Sequence, residues 1–290
     1  MNIDNYNALL AICAQHGWET IITHLSDIRL SSHTNKRLQF ESNFEEIIEH
    51  AWQEKVRSAQ EAGRRVPTND DMVLVEHISL DYSSPQGVVA FDTSLTDYKH
   101  YTCLPHVDQT RRACVLATAG LLIFNHRGEP TYVFASRNKN VSYDGGTIET
   151  PPAGYLKASL LGEEQCTEPL FRNLQLEFEE EIGLSRQHIL RSVPLSVMLY
   201  GRYFDERTKK SYCFSDVTAD YALIVDTNET ELRDAFARID KSGLEHSQQH
   251  FVHHSELSDF VKAHQNNLVP RAKAALYHYL KLTRNDPIAF

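Results

Sequence analysis

At 290 residues the chain exceeds a usual domain of roughly 100–200, and its 41% of hydrophobic residues leave room for one large core or two intimate ones. A net charge of −10 argues against long nucleic acid as the main ligand, because phosphate-backbone binding rests on clustered Lys and Arg. Five widely spaced cysteines, Cys13, Cys103, Cys114, Cys166 and Cys213, form no C-x-x-C pair, and no apolar run approaches the ~20 residues of a membrane helix. That pattern disfavours a disulfide framework or a zinc knuckle and, with no basic stretch at the start to suggest a signal peptide, fits a cytoplasmic protein without a membrane partner.

In chain order, the segment to His24 reads as a helix and residues 27–32 as a short strand. Ser42, three residues before Glu45, suggests a capping box for a helix whose Phe44, Ile47, Ile48, Ala51 and Trp52 fall at helical spacing. Residues 72–80 and 87–91 read as paired strands joined by a turn-rich link, ahead of the short segment Leu95-Thr96-Asp97-Tyr98. Residues 1–108 are expected to form an α/β region packed on a second region, 109–290.

The second region opens with an apolar run over 113–124, a buried strand, returned through a turn at 125–129 by a partner at 131–136. A loop with Gly145-Gly146 leads into Pro151-Pro152-Ala153-Gly154. Further strands are expected at 196–203 and 217–225, and helices at 229–239 with Asn228 as cap, at 256–264 and at 271–282.

Between these lies the most informative stretch. From Leu170, the apolar positions Leu170, Phe171, Leu174, Phe178 and Ile182 fall on one arc of a helix, and Glu177, Glu180 and Glu181 stand beside it at i, i+3 and i+4. Like charges so placed repel by ~0.2–0.5 kcal/mol per pair. A divalent cation removes that cost, and Mg²⁺, which takes oxygen ligands and bridges carboxylates to phosphates, is the natural candidate, with Mn²⁺ as its substitute. The plain alternative is a solvated acidic end to an amphipathic helix, closed by Gly183.

The spacing from Gly162 to Leu184 resembles the Nudix box, G-x5-E-x7-R-E-U-x-E-E-x-G-U with U aliphatic, at every fixed place but one. Leu176 stands where the box has an arginine. Gly162 fills its place by count alone, because the segment between Gly154 and Glu168 is longer than the common spacing. The resemblance implies an α/β fold with a mixed β-sheet sandwiched between helices, carrying an N-terminal α/β extension, and hydrolysis of a nucleoside diphosphate linked to another moiety. It implies metal binding by Glu177, Glu180 and Glu181, a backbone carbonyl from Gly154 in the turn before the box, where Ala153 replaces the usual glycine, and a supporting Glu168.

A narrower resemblance rests on Ile28-Arg29-Leu30-Ser31, the helix around Phe44 to Trp52, Leu95-Thr96-Asp97-Tyr98, Arg137, the Pro-rich turn and Leu170-Phe171. These are similar to the Nudix branch that hydrolyses nucleotide sugars such as UDP-glucose and UDP-galactose, a branch that also lacks the box arginine. Within it, Glu181 and Glu180 are expected at the reaction centre and Glu245, ahead of a strand at Phe251-Val252, as general base. Arg137 is expected either to clamp a phosphate or to form a surface ion pair. Asp97 and Tyr98 either contact base or ribose or close the first region onto the second. The partner expected is a small nucleotide, and the residues leave the oligomeric state open. His246, His250, His253 and His254 lie on a strand and its exit, where they point in different directions, which argues against a zinc site built from them.

Overall fold

The computed structural model describes residues 21–23, 25–63, 66–81, 83, 87–107, 113–139, 145–161, 168–200, 203–205, 210–212, 216–239 and 246–285. Its centre is strand β5, Val115–His126, in which every residue from Val115 to Phe124 is buried. A strand covered on both faces reads as a continuous apolar run rather than an alternating one. Leu116, Leu122 and Phe124 enter one core while Leu121 and Ile123 enter another on the opposite face.

Helices cover both cores. Helix α3, Pro169–Ile182, places Leu170, Leu174, Phe178 and Ile182 against Leu116, Leu122 and Phe124, and helix α4, Glu229–Arg238, adds Leu232, Ala235 and Phe236 to the same side. Each such leucine, isoleucine or phenylalanine side chain, once fully buried, contributes ~1.5–3 kcal/mol. The other face is covered by α5, Leu257–His264, and α6, Pro270–Asn285, through Leu257, Ala272, Ala275, Leu276 and Tyr279. The expected mixed sheet between helices is what forms.

One edge of β5 pairs in parallel with β12, Asp216–Val225, which pairs antiparallel with β9, Ile189–Tyr200, and β9 with β1, Ile21–Thr23. Its other edge is shared by three partners in succession. β3, Asp71–Asp81, meets it at Val115; β8, Ala153–Tyr155, pairs with Ala117–Ala119; and β6, Glu129–Arg137, pairs with Ile123–His126. Beyond β6 lie β7, Ile148–Glu149, and β13, His246–His253. A separate hairpin joins β10, Tyr203–Asp205, to β11, Lys210–Tyr212.

The first region continues this sheet. β4, Gly87–Asp97, pairs antiparallel with β3 and parallel with β2, Leu25–Arg37. Helices α1, Ser42–Glu61, and α2, Tyr98–Val107, pack Ile48, Trp52, Tyr101 and Leu104 onto Met72, Leu74 and Val115. Among the described residues no helix is long and apolar enough to cross a membrane.

Several local expectations hold. Asn228 caps α4 by accepting from the Glu231 N–H at 3.0 Å, and Gly183 ends α3 at φ 77°, a left-handed position that suits glycine. Others are corrected. Ser42 is the first residue of α1 rather than its cap, and Glu41 holds the N-cap without a side-chain bond. Glu45 Oε1 accepts from the Phe40 N–H and Oε2 lies 2.9 Å from His100, so that carboxylate has other partners than a capping box provides. Residues 21–23 form a strand where a helix is expected, and the rest of that expected helix, residues 1–20 and 24, lies outside the described residues. The strand expected at 27–32 extends over the whole of β2, and Leu95 to Asp97 end β4.

Candidate metal and substrate site

Of the four glutamates of α3, Glu177 and Glu181 contact the β8 turn and Glu180 contacts Lys157 just beyond it. Glu177 is 9% exposed, buried by the same helical phase that seats Leu174 and Phe178 in the core. Its carboxylate lies against the α-carbon of Gly154, where an added Cβ would sit 2.6 Å from both Oε1 and Oε2. Glu181 Oε2 accepts a hydrogen bond from the Ala153 N–H at 3.2 Å. Glu180 is exposed and accepts from Lys157 Nζ at 2.7 Å.

Lys157 also lies 3.6 Å from Glu177, so one ammonium holds two of the three carboxylates. Burial alone would lower its pKa, but the bond to Glu180 and the charges of Glu177 and Glu180 outweigh that and raise it. The Lys157 backbone N–H donates to Asn173 Oδ1 at 3.0 Å, and Asn173 Nδ2 donates to the Thr118 hydroxyl at 2.9 Å and to the Gly154 carbonyl at 3.5 Å. This buried asparagine ties α3, β5 and the β8 turn together. Leu176, in the place of the box arginine, packs against the core.

Neither Lys157 nor Asn173 stands out in the sequence. Asn173 carries a faint signal as a polar residue one position before the apolar Leu174, and Lys157 carries one as the first cation after the Pro-rich turn. What joins them to the carboxylates is the pairing of β8 with β5.

Upstream of the turn, Glu149 is almost fully buried and gathers three cationic or imidazole groups. Arg137 Nη1 donates to its Oε1 at 2.6 Å, His246 Nε2 lies 2.8 Å from the same oxygen, and Arg271 Nη2 lies 3.3 Å from Oε2. Arg271 also donates to the Thr150 carbonyl at 3.1 Å. Burial raises the Glu149 pKa, yet the His246 hydrogen bond and the charges of Arg137 and Arg271 prevail and hold it at about 2. Arg137 is thus a partly buried ion-pair partner of Glu149, and the pairing anchors the segment that runs into Pro151-Pro152, a cis peptide, and Gly154.

Asp97 and Tyr98 are on the first region. Asp97 Oδ1 accepts from the backbone N–H of His100 at 2.8 Å and lies 2.7 Å from its Nδ1, and the Tyr98 ring packs edge-on to Trp52 with Lys55 above it. These contacts join α1 to α2. From this region Tyr101 reaches the β8 strand, its hydroxyl 2.7 Å from that of Tyr155 and donating to Asp216 at 3.0 Å, and Met72 bridges to Lys157 just beyond it. Glu245 lies outside the described residues, and β13 begins at the next one, His246.

An all-oxygen donor set on one helix edge suits a hard divalent cation. The fit is supported by Lys157, a cation already bridging two of the three carboxylates, and by the space that Gly154 leaves for Glu177. Glu177, Glu180, Glu181 and the Gly154 carbonyl are the groups that would hold it. An apolar cleft of about 900 Å³, lined in part by Tyr132, Phe134, Leu257, Val261 and Tyr279, opens on the opposite face of the sheet and shares no residue with this site.

No family model matches the chain, and no curated protein matches it. Solved structures with partial similarity include Nudix proteins. The NUDIX domain of Shewanella oneidensis NrtR, complexed with ADP ribose, is 13% identical over 53% of this chain and 80% of that one, with a TM-score of 0.35. A NUDIX hydrolase from Alicyclobacillus acidocaldarius is 13% identical over 56% and 89%, at 0.37. The Ap4A hydrolase of C. elegans, in a binary complex, is 14% identical over 58% and 98%, at 0.34. Likeness at this level carries no argument about chemistry.

Proposed function

We propose that this chain is a Mg²⁺-dependent Nudix hydrolase that cleaves the pyrophosphate bond of a nucleoside diphosphate sugar, a UDP-hexose by preference, giving a nucleoside monophosphate and a sugar 1-phosphate. The observation that supports it is the placing of Glu177 and Glu181 against the Ala153-Gly154 turn, with Lys157 joining Glu180 to Glu177 beside it. Magnesium bound there would neutralise charge on the pyrophosphate oxygens and lower the pKa of the attacking water.

The chain's own residues set the geometry. Packing of Gly154 against its carboxylate fixes Glu177, the Ala153 N–H orients Glu181, and Lys157 steers Glu180. Glu245 is assigned as the base that takes the proton of the attacking water. The base and sugar preference rests on the short matches around Leu95-Thr96-Asp97-Tyr98 and Arg137.

A second reading is favoured by Leu176. Without the box arginine, the site would serve a module that binds a nucleotide without cleaving it. Incubation with Mg²⁺ and a panel of UDP-, GDP- and ADP-sugars, ADP-ribose and NADH, followed by detection of nucleoside monophosphate, separates the readings. Preferential UMP release supports the proposal, preference for ADP-ribose or NADH retains the chemistry and discards the sugar, and silence with both Mg²⁺ and Mn²⁺ favours the binding module. In an active enzyme, Glu181→Gln abolishes turnover with the fold intact; unchanged turnover removes the metal assignment.

A further inference from the structure

At the far end of β5, eight residues and roughly 26 Å beyond Thr118 at a strand rise of ~3.3 Å, three side chains from distant parts of the chain meet. His126 is the last residue of β5, His253 the last of β13, and Glu229 the first of α4. One ligand atom from each lies within 4.8 Å of the others, and all three residues are partly buried.

Neighbouring groups orient them. His253 Nδ1 lies 2.9 Å from the Thr131 hydroxyl; in the tautomer whose Nδ1–H donates to that oxygen, Nε2 keeps its lone pair, the arrangement that second-shell partners give to metal-bound imidazoles. The His126 ring lies alongside, its centroid 4.9 Å from that of His253. Arg233 donates to Glu229 Oε1 from Nε at 2.8 Å and from Nη2 at 2.6 Å, so it engages one oxygen and leaves the geometry of Oε2 set. The guanidinium is itself held 4.5 Å over the Phe251 ring.

We infer that His126, His253 and Glu229 form a second divalent-metal site, of the zinc class rather than the magnesium class. Two imidazoles and one carboxylate match the ligand preference of Zn²⁺, whose bonds of ~2.0–2.2 Å require the three groups to close slightly on the ion. Magnesium demands oxygen ligands and is disfavoured by the two nitrogens. With three protein ligands, the fourth position is left to water. The ion would clip the ends of β5 and β13 to the start of α4, so it stabilises the fold by binding the native state. The inference does not depend on the proposed hydrolase activity.

The test uses the untagged full chain, freed of metal by chelation, titrated with Zn²⁺ in millimolar Mg²⁺ so that the α3 carboxylates are saturated. One equivalent of Zn²⁺ is expected to bind. Its affinity should fall at least tenfold in His126→Gln and in His253→Gln and stay unchanged in Glu181→Gln. Zinc that fails to bind under Mg²⁺, or that binds equally well to both histidine variants, or that is lost in Glu181→Gln, would overturn the site. Co²⁺ titration of the unsubstituted chain gives a reading independent of variant folding. Intense visible absorption of a low-coordinate nitrogen and oxygen site, reversed by Zn²⁺, supports the inference, and a spectrum of hexaaqua Co²⁺ alone rejects it.

Discussion

The carboxylate of Glu177 occupies the space that a side chain at position 154 would need, with both oxygens 2.6 Å from where a Cβ would stand. Gly154→Ala must therefore push Glu177 away from the turn or shift β8 from β5. Overpacking of this kind costs ~1–3 kcal/mol, and displacement of a positioned group by an ångström costs on the order of 10²-fold in rate. Turnover on the best substrate of the panel should drop by that order while circular dichroism stays native. Wild-type turnover in Gly154→Ala would show that Glu177 has no fixed position to lose.

In the proposed site Lys157 would compete with the cation, because it already lies 3.6 Å from Glu177 and 2.7 Å from Glu180. Its side chain is 37% exposed, so solvent discounts the pair, and removing it in Lys157→Met should cost the metal-free chain only ~0–1 kcal/mol. Magnesium affinity should rise, since no ammonium has to be displaced. Thermal midpoints recorded across a Mg²⁺ titration check this: the variant should start at or slightly below wild type and gain more from the ion. Equal gains in both proteins would mean that Lys157 and the cation do not share a site.

What was legible in the sequence was local. The apolar stripe Leu170, Leu174, Phe178, Ile182 and the glycine that ends it follow from helical periodicity, as does the Asn228 cap, and the apolar run of β5 announces its burial. Pairing over long sequence separations was not legible. Lys157 and Glu180 are 23 residues apart and meet because β8 docks on β5. The latter half of β4 hides its burial behind Thr93, Ser94 and Thr96, where the Thr93 hydroxyl bonds the Ser32 carbonyl and Ser94 bonds Glu76. Arg137 reads equally as a phosphate clamp or a surface ion pair, and only the pairing of β7 and β13 with β6 brings Glu149 and His246 to it. The zinc-class site was invisible for the same reason, since only His253 of the histidine-rich run belongs to it.

Glu149 pairs with the buried Arg271 and the partly buried Arg137, so Glu149→Gln removes an anion that both share. Breaking a buried pair in this way costs ~3–5 kcal/mol. The folded pKa of about 2 lies below the ordinary value of 4.5. Its contribution is therefore present above pH 4.5 and lost as pH falls from there toward 2. Urea midpoints measured across that range should decline in the wild type, and the part of the decline due to Glu149 should be missing in Glu149→Gln. A variant as stable as wild type at pH 7 would show that Arg137 and Arg271 find other anions.

His100 stands between two carboxylates, Asp97 at 2.7 Å and Glu45 at 2.9 Å, and ties α2 to α1. Burial would lower its pKa, but the Asp97 hydrogen bond and charge, followed by those of Glu45, raise it above 6.5. A raised histidine pKa stabilises the fold fully below 6.5 and loses that contribution as pH climbs through the folded value. Asp97 is shifted the other way: burial opposes ionisation, His100 favours it more, and the folded pKa falls below 3.8. Its share is present above pH 3.8 and disappears as pH drops beneath it. Wild-type stability should therefore slope downward on the alkaline side of pH 6.5, and His100→Gln should remove that slope while lowering stability at pH 6. Parallel curves for the two proteins from pH 6 to 9 would show that folding leaves the His100 pKa unshifted and would reject the pairing as a source of pH dependence.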